Sequence, residues 1–340
     1  MPDGKNARTL KPFITVLKCG DPISHLNLTV VPVESEPVGS VEYMLAADAI
    51  ESGLLSITEI DESGSVPELL VKSTAEVMIL LVDGEELVGA KQNRILNTSV
   101  LVRPNAQTKI PVSCVEQGRW RHTSRAFVSG GFSPSQLRAV KSRSVGRNLR
   151  ASGRARSDQA EVWDQVALKM DEAQASSPTM SMHDVIDQRR ASLDDYINAI
   201  RYPAGARGVI AAIAGKFAAM DLFDRPETLQ RLWLRLLTGY ALDAICRPDE
   251  DIPEFTANGA RALLEHLCEL ECQPCPSVGV GDDWRFESGG VVGQALVADD
   301  TCVRLSVFPN EGDEPRSRRA PHITRPSRRR GNRRRDDQQE

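Results

Sequence analysis

The stretch LVDGEELVGAKQNRILNTSVLV, residues 81–102, sets a cluster of hydrogen-bonding side chains between two apolar runs. Glu85 and Glu86 are carboxylates that can serve as a general base, accept sugar hydroxyls or take a divalent cation. Lys91 and Arg94 are cations, and Gln92, Asn93 and Asn97 are amides with directional donors and acceptors. The mixture suits a polar pocket for a small, oxygen-rich ligand. It also suits the solvated face of a twisted hairpin, where ion pairs are worth little. The next strand-like segment, IPVSCVEQGRW, ends in Cys114, Glu116, Gln117, Arg119 and Trp120. If 95–102 pairs with 108–116, the two clusters share one end of a sheet. Glu116 then joins Glu85 and Glu86 as a candidate catalytic carboxylate. Arg119 can fork onto a phosphate, and Trp120 can stack on a base, although core or domain packing is the plainer reading of a tryptophan there. Cys114 has only His122 near it as a base and reads as a buried, inert thiol. In SDQAEVWD, Asp158 and Gln159 are further ligand-binding candidates beside the plainer reading of an acidic helix start.

Residues 117–157 hold 10 Arg or Lys and no acid, although the whole chain carries a net charge of −5. This basic island fits phosphate, pyrophosphate or a nucleic-acid backbone, or else a face that pairs with the acidic segments around it. No phosphate-cradling Gly-rich loop accompanies it. Cys268, Cys272 and Cys275 have a C-x₃-C-x₂-C spacing, used elsewhere for iron–sulfur clusters, and His266 stands near. Nothing around them supports a metal, so the spacing is read as accidental and no metal ligand is assigned. A divalent cation bound at the glutamates stays open as a cofactor.

The elements that must position these groups follow from periodicity. Short strands over 12–38 lead to a helix from Ser40 to a stop at Gly53, then strands LLSITEI, LLVKS and VMILLV, the last apolar on both faces and central. Asp83-Gly84 suits a two-residue hairpin turn. Past residue 120 the period becomes helical. One helix is expected behind Ser133 as cap and Pro134, a second from Ser157 or Asp158, and a third over 182–200. GVIAAIAGKFAAMDLF reads as a hairpin turned at Ala214-Gly215. In DRPETL, Asp224 and Glu227 have the spacing of a capping box. A helix near 257–271 and strands near 291–308 complete the chain. The class is α+β: an N-terminal, mostly-β, sandwich-like part, a C-terminal antiparallel sheet covered by helices, and an Arg-rich tail too polar to fold. The expected division is a mostly-β domain 12–120, a basic helical segment 121–200, an α+β domain 201–309 and a disordered tail 310–340.

With 340 residues, 41% apolar and 26% charged, the composition is that of a globular protein. The longest apolar runs, such as 209–214, are far shorter than a membrane span, and MPDGKNARTLKPF lacks the apolar core of a signal peptide. The seven scattered cysteines argue against a disulfide framework. A cytoplasmic protein without membrane contact is expected.

The segments VDGEELVGAKQNRILNTSVLV, IPVSCVEQGRW, SDQAEVWD, SSPT, DLFDRPETL and PSVGVG resemble, in that order, the ARG and rhodanese-phosphatase-superfamily-associated protein family. The resemblance covers about residues 13 to 309. It implies a context of ADP-ribosylglycohydrolases and rhodanese-like phosphatases, and so of NAD-derived or ADP-ribose metabolites, and it implies no particular reaction. The cysteine triplet and the tail lie outside the resemblance. Together these readings point to a phosphorylated nucleoside or ADP-ribose-like small molecule bound among the polar residues, with phosphate contacts from the basic island. A hydrolase with a glutamate base or a metal is the second reading. A nucleic-acid binder using island and tail, with weak contacts through the tail, is the third.

Overall fold

A computed structural model describes residues 8–36, 41–60, 67–119, 124–247 and 254–310. The chain begins with β1 (Arg8–Thr9), the single-turn helix α1 (Lys11–Ile14), β2 (Lys18–Cys19), β3 (Ile23–His25) and β4 (Leu28–Glu34). β5 (Tyr43–Leu45) runs into α2 (Ala46–Glu51), after which Gly53 takes φ +69 and ends the turn. There follow β6 (Leu55–Glu59), β7 (Glu68–Ser73), β8 (Met78–Leu81), β9 (Glu85–Gly89), β10 (Arg94–Leu96), β11 (Val100–Val102), β12 (Gln107–Cys114) and β13 (Phe127–Phe132). The helices α3 (Ser135–Ser152), α4 (Gln159–Glu172), α5 (Met182–Gln188) and α6 (Arg190–Ala199) precede the hairpin β14 (Gly208–Ile213) and β15 (Lys216–Phe223). After α7 (Pro226–Ile245) and α8 (Ala257–Cys268), β16 (Glu271–Pro276), β17 (Asp282–Ser288), β18 (Val291–Ala298) and β19 (Thr301–Pro309) form a meander.

The fold is α+β. A 10-stranded antiparallel sheet runs β1-β16-β17-β18-β19-β15-β14-β4-β2, with β3 also on β4. A 6-stranded sheet, β13-β9-β10-β12-β7-β6, and a 3-stranded sheet, β11-β8-β5, enclose an apolar core that includes Ile57, Val71, Leu81, Leu96, Val112 and Phe127. This is the sandwich-like N-terminal part. Strand alternation gives the large sheet two apolar faces. Leu222, Leu305 and Trp284 pack with α1 and α8 on one face, while Phe223, Phe308 and Leu296 pack toward α3 and α7 on the other. β4 is joined to β14, so this sheet takes strands from both ends of the chain. The division expected at 120 and 200 does not follow sheet boundaries. The described residues as far as Asn310 form one compact unit, and residues 311–340 of the expected tail lie outside the described residues. No described helix is long and apolar enough to cross a membrane.

Several local expectations change. β8 pairs with β11 and β5, whereas β9 pairs with β10 and β13, so Asp83-Gly84 carries the chain from one sheet into another. The hairpin of this region is β9–β10, turned at Ala90–Asn93. The helix expected from Ser40 starts at Ala46, because Tyr43–Leu45 are taken by a parallel pairing with β8. Ser40 itself lies outside the described residues. The third helix breaks at Arg189 into α5 and α6. Ser133 does not cap α3, whose N-cap is Pro134, and Asp224 does not cap α7, because it is drawn into contacts with Tyr43 and Arg225. Ala214 and Gly215 do turn β14 into β15, both at positive φ.

Gly84 shows why the sheet crossing needs glycine. Its φ is +82, and a Cβ there would meet Arg138 Nε at 2.6 Å and Cδ at 2.8 Å. Arg138 cannot swing aside, since it is stacked over Phe132 and Phe308 and bonded to Asp221. Gly84→Ala is expected to cost about 2–4 kcal/mol in urea unfolding, combining backbone strain with overpacking. A cost under about 0.5 kcal/mol would show that the crossing relaxes freely.

Candidate functional site

The polar residues of 85–97 and 114–119 do come together. β10 pairs with β12 in the register Arg94↔Cys114, Ile95↔Ser113 and Leu96↔Val112, a shorter ladder than the 95–102 with 108–116 pairing expected from sequence. Within it the side chains mostly satisfy one another. Glu116 accepts from the Asn93 N–H at 3.1 Å, from Arg119 Nε at 2.9 Å and Nη2 at 2.7 Å, and from Thr179 Oγ1 at 2.9 Å. Arg119 also donates to the Ala90 carbonyl at 2.8 Å and to Asn93 Oδ1 at 3.0 Å. Gln92 accepts from Arg94 at 3.3 Å and donates to the Gln117 carbonyl at 3.3 Å. Arg94 is buried against Glu59 at 3.3 Å and contacts Cys114. Asn97 accepts from Ser113 at 2.7 Å and donates to the Ala155 carbonyl at 3.2 Å. Gln159 bridges the Cys114 N–H and carbonyl, both at 2.8 Å, acting as a side-chain strand partner for β12. Asp158 is the exposed N-cap of α4, accepting from Ala160 N–H at 2.9 Å. Lys91 is half-buried in the β9–β10 turn, and Trp120 lies outside the described residues.

The three candidate catalytic glutamates separate. Glu85 is bound to Arg235 of α7 at 2.7 Å and to Ser129. Glu116, with its full set of donors, is held below the ordinary glutamate value: burial pushes it up, but the bonds from Arg119, the Asn93 N–H and Thr179 outweigh that. Glu86 is different. Its side chain is 1% exposed, its Oε1 has no hydrogen-bond partner, and its Oε2 lies 3.9 Å from His183 Nδ1, which is also unpartnered. Burial first, then the charges of Glu116, Asp187 and Asp184, push its carboxyl up to about 8. Thus one buried glutamate is held ionised and its neighbour is poised to carry a proton near neutral pH.

The backbone makes room at Glu86. β13 pairs with β9 through Ser129↔Leu87 and then Phe132↔Glu85, so the Gly130–Gly131 bulge faces Glu86. A Cβ on Gly130 would meet Val88 at 2.8 Å and the Glu86 carbonyl at 3.1 Å. Bulges of this kind interrupt pairing and re-aim side chains. On the outer side, His183 is 38% exposed and its Nε2 lies 3.6 Å from Asp187 Oδ2. A chain Glu86–His183–Asp187 therefore leads from a buried carboxyl to the surface.

His183, Thr179 and Arg235 did not figure among the sequence candidates. SSPT, which contains Thr179, was a visible signal, but nothing local in MHDVID placed His183 beside Glu86.

Among the described residues the basic island does not present a continuous phosphate-binding face. Arg138 and Lys141 are buried, Arg147 pairs with Glu161 and Arg150 with Glu287 at 2.8 Å, and Arg143 bonds Asn310 at 3.2 Å. Helical periodicity turns part of the island inward and pairs the rest with acidic neighbours. Arg125, Arg154 and Arg156 are exposed, and Arg121 lies outside the described residues. Among the described residues no group of three or more His, Cys, Asp or Glu side chains could hold a metal ion.

A family model described as ARG and Rhodanese-Phosphatase-superfamily-associated Protein domain matches residues 16–308. No curated protein and no solved structure matches the chain.

Proposed function

The chain belongs to the ARG and Rhodanese-Phosphatase-superfamily-associated Protein domain family, and from that premise we propose that it is an acid–base catalyst acting on a phosphorylated nucleoside of the ADP-ribose type. The observation that supports this reading is Glu86: a buried carboxyl with an unpartnered oxygen, raised to about 8, opposite a glycine bulge and within 3.9 Å of His183. In a hydrolysis, neutral Glu86 gives its proton to the departing oxygen as the bond to it breaks. Water supplies the new bond, and the proton it releases returns to solvent or to Glu86 through His183. Burial, and then the charge of Glu116, itself fixed by Arg119 and ionised, keep Glu86 protonated. The arginines among the candidates are committed to Glu59 and Glu116, so the reading places the ribose, rather than the phosphates, beside Glu86.

The test offers ADP-ribose, NAD and AMP to the purified chain, with and without magnesium, and follows both melting temperature and product formation. Turnover is expected, falling as pH rises past about 8 and dropping on the order of 10²-fold or more in Glu86→Gln. Neither stabilisation nor turnover with any of the three would sink the reading. Stabilisation without turnover, unchanged in Glu86→Gln, would favour a binding protein for the same ligand class. Nucleic-acid binding lost on deletion of 311–340 would belong to the tail alone.

A further inference from the structure

Across the middle of the large sheet, where a helix packs on it, the strands carry a polar row. Arg285 of β17 stands opposite Gln294 of β18, Gln294 opposite Ser306 of β19, and Ser306 opposite Asp221 of β15. All four are buried. Their apolar neighbours Trp284, Ala295, Leu305 and Leu222 point to the α8 side, so the row faces α3. From α3, Arg138, Lys141 and Ser142 are buried as well.

Part of this band is satisfied. Asp221 accepts from Arg138 at 3.0 Å and from Arg304 and Tyr240, and Asp83 accepts from Arg304 and Ser306, each at 3.1 Å. Asp283 is forked by Arg285 with two bonds of 2.8 Å. The rest is not. Gln294 Oε1 and Nε2, Arg285 Nη1 and Ser142 Oγ have no partner, and Lys141 Nζ, with three protons to give, bonds the Leu96 carbonyl at 2.5 Å. An unpaired buried polar group costs about 1–3 kcal/mol, so several side by side mark a place that takes an occupant.

Charge decides what kind. Among the described residues of the band, with Lys141 protonated, the cations Lys141, Arg138, Arg285 and Arg304 exceed the carboxylates Asp83, Asp221 and Asp283 by one. A water would satisfy donors and leave that excess in place, whereas a monovalent anion accepts from the free donors of Lys141, Arg285 and Gln294 Nε2 and offsets the charge, leaving Gln294 Oε1 turned away from it. We propose that the band holds one halide-sized anion beneath α3, ligated by Lys141, Arg285 and Gln294, with Ser142 as a further donor. This site is separate from Glu86 and does not rest on the catalytic reading.

The site is coupled to pH. Burial draws Lys141 down to about 7, with Asp83 opposing the fall and Arg138, Arg285 and Arg304 adding to it. Asp221, Asp283 and Tyr240 are the other titratable groups facing the band. Bound anion favours the ammonium, so halide binds more tightly at pH 6 than at pH 8.

The experiment is a crystal grown in sodium bromide, measured at the bromine edge, with thermal melts in bromide, chloride and gluconate at equal ionic strength. An anomalous peak is expected within hydrogen-bond reach of Lys141 Nζ and Gln294 Nε2. The melting temperature should be higher in halide by about 2–4 °C, more at pH 6 than at pH 8. Lys141→Met removes the excess charge, so it should fold and lose the halide dependence. Density for water alone in the band, bromide confined to surface arginines, or equal melts in halide and gluconate would overturn the proposal.

Discussion

Asp221→Ala is expected to cost at least about 3–5 kcal/mol, a large part of the roughly 5–15 kcal/mol that holds a domain together. Asp221 is fully buried in β15 and accepts from Arg138, Arg304 and Tyr240, which come from α3, β19 and α7. Arg138 and Arg304 also meet Asp83, at 3.8 Å and 3.1 Å, at the point where the chain crosses from β8 to β9. The carboxylate therefore ties the large sheet, two of its covering helices and the N-terminal sandwich into one ionic knot. Removing it leaves two guanidinium groups buried against a single remaining acid. Urea unfolding of the variant against the parent at neutral pH measures this, with Glu287→Ala as a control. Glu287 meets Arg150 at 2.8 Å on the surface, and its loss should cost about 1 kcal/mol or less. Equal small losses in both variants would mean that the knot carries no special weight. The knot also sets acid sensitivity. Burial raises Asp221, but Arg138 and Arg304 outweigh it and hold its folded value below the unfolded one. Its contribution is thus present above the unfolded value of 3.8 and is lost as pH falls through the folded one.

Glu86→Gln should change the pH dependence of stability in the opposite sense. The folded value of about 8 lies above the unfolded 4.5, so the native state binds the proton more tightly. The corresponding stability is fully present below 4.5 and drains away as pH rises to about 8. The total is on the order of 5 kcal/mol. A glutamine fills nearly the same space and never ionises. The variant should match the parent near pH 5 and exceed it by more than about 2 kcal/mol at pH 9. Parallel stability curves for the two proteins from pH 5 to pH 9 would show that Glu86 does not hold a proton in the folded state, and the catalytic reading would lose its support.

The local devices were legible because their causes are local. Asp158 caps α4, Gly53 ends the turn after α2 and Ala214-Gly215 turn a hairpin, as residue type and spacing required. β8 lies between β11 and β5, as a strand apolar on both faces must be central. Two devices misled for one reason. Asp83-Gly84 has hairpin chemistry and Asp224 has capping chemistry, yet distant partners, Arg304 for the first aspartate and Tyr43 with Arg225 for the second, took those side chains over. A side chain that can bond its own backbone can also bond anything the fold brings near, and burial makes the remote charged partner the stronger one.

Sequence by itself determined the α+β class and most element positions, because hydrophobic period specifies them, while the convergence of 85–97 with 114–119 hung on a strand pairing that sequence left conditional. What those polar residues do was decided by tertiary structure. A carboxylate's role depends on which donors reach it and how much water is left. Glu85, Glu86 and Glu116 are chemically alike along the chain and become an ion-pair partner, a proton carrier and a fixed anion only when Arg235, His183 and Arg119 are set beside them. The basic island was plain in sequence, but only the packing of α3 turned Arg138 and Lys141 into the interior.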